Sequence, residues 1–214
     1  MEDVLDVYQR PLDERRPLVC LDEASKQLLS DARPALPMEP KTDSEAGQPL
    51  RQDSEYIRNG TASLFMVSAP LLGWRCVEVA DRRTRKDFAQ VVKTLADEQF
   101  AGAEKIVLVM DNLNTHGPAS LYEAFAPAEA KRLSDRIEWH YTPKHGSWLN
   151  MAEIELSALA RQCLAERMND KAHLREQVAA WQASRNAGGV KIDWRFTTAD
   201  ARIKLKRLYP AILP

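Results

Sequence analysis

Apolar and charged positions in this chain fall into short alternating blocks. Residues 106–110 (IVLVM) are an unbroken apolar run, the pattern of a strand buried on both faces. The run stops at Asp111-Asn112, followed by Asn114, Thr115 and His116. Such a strand delivers a carboxylate to the rim of an α/β sheet, although Asp-Asn serves equally to turn the chain or cap a helix. Residues 17–21 (PLVCL) repeat the arrangement and end at Asp22-Glu23, where the competing expectation is that Asp22 caps a helix beginning ASKQLL. Residues 61–69 (TASLFMVSA) and 74–80 (WRCVEVA) flank a turn at residues 70–73, and the pair predicts an antiparallel hairpin.

Helical spacing follows at residues 86–100, with Phe88, Val91, Val92, Leu95 and Phe100 on one face. A second helix is expected over residues 118–133, opening at Pro118. Residues 137–141 (IEWHY) predict a fifth strand, residues 148–164 a third helix and residues 172–186 a fourth, which a Gly188-Gly189 break separates from a basic tail. Residues 30–53 hold four prolines (Pro34, Pro37, Pro40 and Pro49) among polar residues and predict a long loop. The expected division is an extension over residues 1–16, a catalytic-type α/β domain over 17–168, and a C-terminal helix with basic tail over 169–214. No internal repeat is visible.

With 44% hydrophobic and 29% charged residues, the composition is that of a soluble globular chain. No apolar run approaches the roughly 20 residues that span a bilayer, and the charged start MEDVLDVYQRPLDERRP carries no secretory signal core. Cys20, Cys76 and Cys163 lie in apolar segments without metal spacing, which suits buried thiols in a reducing compartment. A net charge of −1 argues against a dedicated nucleic-acid binder. Local charge is less even: residues 81–86 (DRRTRK) carry net +3, and residues 191–207 net +4. Patches of this size serve as solvated faces more often than as phosphate contacts.

A third carboxylate is offered by residues 141–164. Ala152, Leu156, Leu159, Ala160 and Cys163 form a helical stripe, and Glu153 and Glu155 flank it on opposite sides. Helix geometry alone does not choose between the two. Glu153 has a second use, as the last residue of a capping box that starts at Asn150.

Taken together, LDE (21–23), MDNLNTH (110–116) and YTPKHGSWLNMAEIE (141–155) resemble the catalytic domain of the DDE transposases related to mariner, in the bacterial insertion-sequence branch (IS six-thirty type). There an Asp stands on the first strand, an Asp-Asn with a nearby His follows the fourth, and a proline-containing loop leads to Asn-Pro-x-Glu. Here Met151 occupies the family's proline position. The tail DWRFTTADARIKLKRLYP is also similar to the end of such transposases. The element order β-β-β-α-β-α-β-α is that of the ribonuclease H-like fold, an α/β architecture with a mixed five-stranded sheet flanked by helices.

The resemblance implies a catalytic set of Asp22, Asp111 and Glu153, acting also as metal ligands. Clustered carboxylates repel one another and favour hard divalent cations, Mg²⁺ or Mn²⁺. Two such ions suit phosphodiester chemistry: cleavage at a transposon end, then strand transfer by the freed 3′-hydroxyl into TA-containing target DNA. Glu23, Asn112 and His116 are candidates for orienting these carboxylates, and His116 is equally suited to hydrogen bonding at a helix start. Arg82, Arg83, Arg85, Lys86, Lys144 and His145 are candidates for DNA phosphate contact. Burial is the favoured expectation for Trp148 over base stacking. By the same resemblance the partners are transposon-end and target DNA, a second copy of the chain, and a helix-turn-helix domain or chain for end recognition. The setting is the bacterial cytoplasm, at the nucleoid. A catalytically inactive DNA-binding or assembly remnant, and a nuclease of the same fold without strand transfer, share these motifs.

Overall fold

The structure is a computed structural model, and it describes residues 1–41, 47–49, 51 and 54–209. Five strands form one sheet: β1 (Leu18–Asp31), β2 (Tyr56–Ala69), β3 (Trp74–Ala80), β4 (Ile106–Met110) and β5 (Ile137–Tyr141). Their order is β3-β2-β1-β4-β5, with β1, β2 and β3 antiparallel in turn and β4 and β5 parallel to β1. The sheet is therefore mixed, and its order is the one expected of the ribonuclease H-like fold.

Strand alternation sorts the sheet's side chains into two cores. Cys20, Leu64, Met66, Val77, Val107 and Val109 face one side. That side is covered by α1 (Glu2–Tyr8), α5 (Ala152–Gln162), α6 (Lys171–Ala187) and α7 (Thr198–Lys204). Val19, Leu21, Phe65, Ile106, Leu108 and Met110 face the other, under α2 (Arg85–Thr94), α3 (Pro118–Ala124) and α4 (Pro127–Asp135). No helix among the described residues is long and apolar enough to cross a membrane.

Several elements depart from expectation. The helix ASKQLL does not form. β1 runs straight through Asp22 to Asp31, paired with β2 along its length apart from an irregularity between Gln27 and Leu29. Tertiary pairing here outweighs a weak local helix preference. Asp22 is consequently a mid-strand residue rather than a helix cap. β2 in turn starts at Tyr56, earlier than expected. Within the proline-rich segment, Leu36 pairs with Arg51 and Glu39 with Gln48, so its described part continues the β1–β2 hairpin outward. Residues 42–46, 50, 52 and 53 of that expected loop, and 210–214 of the tail, lie outside the described residues.

The helix expected over 118–133 is two, because Pro127 removes a donor and pushes Ala126 into extended backbone (φ −58°, ψ 149°). The expected helix over 148–164 begins only at Ala152, after a single 3-10 turn, Ser147–Leu149. The basic tail contains α7, capped by Thr197 through a box with Asp200.

The open edge of β3 is met by a helix. Arg75 N–H donates to Asn186 Oδ1 (2.9 Å) and Arg75 O accepts from Asn186 Nδ2 (2.8 Å). Val77 N–H donates to Gln182 Oε1 (2.8 Å), and Val79 O accepts from Arg175 (3.4 Å). Side chains from one face of α6 thus satisfy alternate backbone groups along the edge.

Candidate active site

Parallel pairing of β1 with β4 sets Cys20 beside Val109. In that register Asp22 and Asp111, two residues further along each strand, reach the same level of the sheet. Asp22 lies on the α5 side by strand alternation and is 9% exposed. Its Oδ1 accepts the backbone N–H of Glu23 (2.7 Å) and its Oδ2 accepts Asn150 Nδ2 (3.1 Å). Burial lifts the Asp22 pKa from the ordinary 3.8 to about 6, against that backbone hydrogen bond, and the charges of Glu153 and Asp111 add to the rise. Glu153 is thereby coupled electrostatically to Asp22 from the first turn of α5.

Glu23 alternates to the opposite face and meets His116, which is buried and stacked on Phe88 (centroids 4.8 Å apart). His116 Nε2 is 2.8 Å from Glu23 Oε1, and its Nδ1 bonds Asp111 Oδ1. Burial opposes a charge on this ring, but the two carboxylates outweigh it and raise the pKa to about 9. His116 is therefore an imidazolium donating to both. It engages one oxygen of Asp111, and it does not serve as a helix-start hydrogen bonder. Asn112 is exposed beside it.

Glu155 has a different task. It is 1% exposed and bound by Arg75, also 1% exposed (Nε to Oε2 3.3 Å), and by both Arg185 donors (3.0 Å each). Glu153 is exposed, so of the two glutamates only Glu153 is free of such a cluster. The capping box from Asn150 is not formed, since the N-cap is Met151. Asn150 instead turns its amide to Leu21 O (2.8 Å) and Asp22 Oδ2. Sequence reasoning missed this role; its only signal was an Asn three residues before the glutamate.

Asn150 is fully buried, so Asn150→Ala strands the Leu21 carbonyl and frees Asp22. A stability loss of about 1–3 kcal/mol in urea unfolding is expected.

A cavity of about 380 Å³ opens beside Asp111, lined by Asn112, Thr142, Lys144 and His145 among others. Its wall is a tight turn. His145 sits at φ 62°, and a Cβ on Gly146 would come within 2.6 Å of Pro143. Arg82, Arg83 and Lys86 are exposed just beyond the C-terminal end of β3, and β3 runs parallel to β1 through their shared partner β2. Arg85 is paired with Glu123. Trp148, expected to be buried, is 45% exposed and rests edge-on against Phe196 (5.9 Å) because its 3-10 turn lifts it off the core.

All the acidic candidates are hard oxygen donors, and burial first, then the charges of Glu153 and Asp111, make Asp22 harder to ionise, with the His116 charge relieving part of that. That donor set suits a hard divalent cation. Among the described residues no three His, Cys, Asp or Glu side chains are gathered closely enough to hold a metal ion, so the carboxylates are coupled without forming a closed cage.

A family model described as DDE superfamily endonuclease matches residues 17–175. The chain belongs to that family. Its sheet also superimposes on solved structures of Mos1 transposase. The paired-end complex with left transposon end gives a TM-score of 0.58 at 16% identity, over 88% of this chain and 55% of that one. The Mos1 strand transfer complex gives 0.57 at 15% identity, with the same coverage. This DDE-family chain thus spans about half the length of those relatives. At these identities the likeness is one of fold. No curated protein matches the chain. DDE superfamily enzymes generally use divalent metal ions.

Proposed function

We propose that this chain is the catalytic portion of a DNA transposase, with Asp22, Asp111 and Glu153 as its acidic set. The observation that carries the reading is the convergence of Asp22 and Asp111 on paired parallel strands, with Glu153 near enough to perturb Asp22. The family match and the Mos1 complexes with transposon ends agree with it. Asp22, Asp111 and Glu153 would hold Mg²⁺ or Mn²⁺, two ions in the full site, which supply Lewis-acid activation of the attacking oxygen and stabilise the leaving one.

The chain's own groups set the stage. His116, charged and braced by Glu23, fixes Asp111, while Asn150 and the Glu23 amide fix Asp22. Lys144 and His145 in the cavity wall, with Arg82, Arg83 and Lys86 at the same end of the sheet, contact DNA phosphates. Water attacks the phosphorus at the transposon end: a P–O bond forms, the bond to the 3′-oxygen breaks, and that oxygen leaves as a hydroxyl. The freed 3′-hydroxyl then attacks a phosphodiester of TA-containing target DNA and displaces the target's own 3′-oxygen. Work on two ends calls for a homodimer, with end recognition by a helix-turn-helix domain or chain.

The test supplies a duplex carrying a transposon end, with Mg²⁺ or Mn²⁺, and then a pre-cut end with a TA-containing plasmid. Nicking and joining, both stopped by EDTA, are expected. Nicking without joining would mark a nuclease of the same fold, and neither activity from a folded protein would mark an inactive remnant.

A further inference from the structure

Residues 1–16 lie outside the segment matched to the family, yet one of their side chains enters the turn that precedes Glu153. Tyr8, 5% exposed at the end of α1, donates its hydroxyl to Leu149 O at 2.6 Å and accepts the N–H of Met151 at 3.4 Å. Those two groups flank Asn150, the residue whose amide reaches Leu21 O and Asp22 Oδ2. One oxygen therefore bridges the backbone on both sides of the residue that orients Asp22. The contact spans 141 positions of sequence, so no local preference of the turn supplies it.

The helix that carries Tyr8 is itself tied down. Glu2 is bound by both Arg202 donors (2.8 Å each), Asp6 by Thr198 (2.6 Å) and Asp3 by His140 (2.7 Å). The Tyr8 ring packs against Trp194 at 5.0 Å. The hydroxyl is thus presented from a fixed support rather than from a free end.

We infer that Tyr8 is a positioning residue: its hydroxyl clips the Leu149–Met151 turn and so sets the orientation of Asn150 and, through it, of Asp22. The inference rests on the acidic site proposed above for its consequence in catalysis. The geometry of the clip stands apart from that site.

Tyr8→Phe removes only the oxygen and keeps the ring against Trp194. Trp194→Leu is the control, since it loosens the ring and leaves the hydroxyl. Hydrogen exchange of peptides covering residues 147–156 is expected to speed up at least about five- to tenfold in Tyr8→Phe, which loses both hydrogen bonds of the hydroxyl, with other core peptides unchanged. The Mn²⁺ concentration for half-maximal nicking should rise by a similar or larger factor, and the rate at saturating Mn²⁺ should recover towards wild type. Trp194→Leu should speed exchange around α1 and α7 and leave the Mn²⁺ requirement in place. Unchanged exchange over residues 147–156 in Tyr8→Phe, or the same local rise and Mn²⁺ shift in both variants, overturns the inference. A wild type that neither binds Mn²⁺ nor nicks DNA removes the nuclease reading, and exchange still decides whether the clip exists.

Discussion

Asp22→Asn should melt higher than the wild type in metal-free buffer at pH 8, and should nick DNA about 10³-fold more slowly. The two effects share one cause. The Asp22 carboxylate is buried among other negative charges, so its pKa in the fold lies at about 6 against an ordinary 3.8. A group whose folded pKa is raised takes up its proton more readily in the native state. The penalty for keeping it charged is absent below about pH 4, grows between there and about 6, and is complete above that. At about 1.4 kcal/mol per pH unit the full penalty approaches 3 kcal/mol. An amide would keep the Glu23 N–H bond but turn its NH₂ towards Asn150, which gives back about 1 kcal/mol. A net gain of roughly 1–2 kcal/mol is therefore expected in urea unfolding at pH 8 with EDTA, vanishing at pH 4. On the proposed reading, the loss of activity follows from removing a metal ligand worth several kcal/mol of charge stabilisation, at 1.36 kcal/mol per decade of rate. Equal stability at both pH values would deny the strained carboxylate, and nicking at the wild-type rate would remove Asp22 from the site.

Glu155→Ala is the second large effect, and it falls on stability. Arg75 would be left as a 1%-exposed guanidinium whose remaining partners are Asn186 and the Val190 carbonyl. Breaking one partner of a buried ion pair costs about 3–5 kcal/mol. Replacing both buried members, as in Arg75→Met with Glu155→Leu, should recover most of that loss, because the desolvation cost of the pair disappears with it. Arg185 is 17% exposed and can turn outward. Urea unfolding of the single and double variants checks this. A single variant within 1 kcal/mol of wild type would show that the cluster is solvated in practice. Because Glu155 sits two residues beyond Glu153, the same cluster anchors the turn that carries the exposed glutamate.

How far the chain could be read depends on where each decision is made. β4 was legible because five apolar residues bounded by polar ones permit little else, and β3 because its apolar and polar residues alternate. The adjacency of Asp22 and Asp111 required two strands to be recognised, and the resemblance then named the pair. The continuation of β1 past Asp22 was hidden, since residues 24–29 have no strand-like alternation and only pairing with β2 holds them extended. The duties of Glu155 and Asn150 were hidden for a related reason. Each is fixed by a partner on a distant strand, Arg75 and Asp22 respectively, and no window along the chain contains both ends. Trp148 was misjudged because its half-exposed position is set by a short 3-10 turn that apolar spacing does not register.

The polar face of α6 that closes the β3 edge has a practical consequence for anyone dissecting the molecule. Gln182 and Asn186 lie beyond residue 175, where the family match stops. A fragment trimmed to the matched segment would keep every acidic candidate and lose those two caps. It would also uncover the core that α1, α6 and α7 bury, and the backbone groups of Arg75 and Val77 would present a bare template to any passing strand, so such a fragment is expected to associate before its chemistry could be assayed. A usable boundary therefore lies past Asn186, set by hydrogen-bond accounting along one strand rather than by where sequence similarity fades.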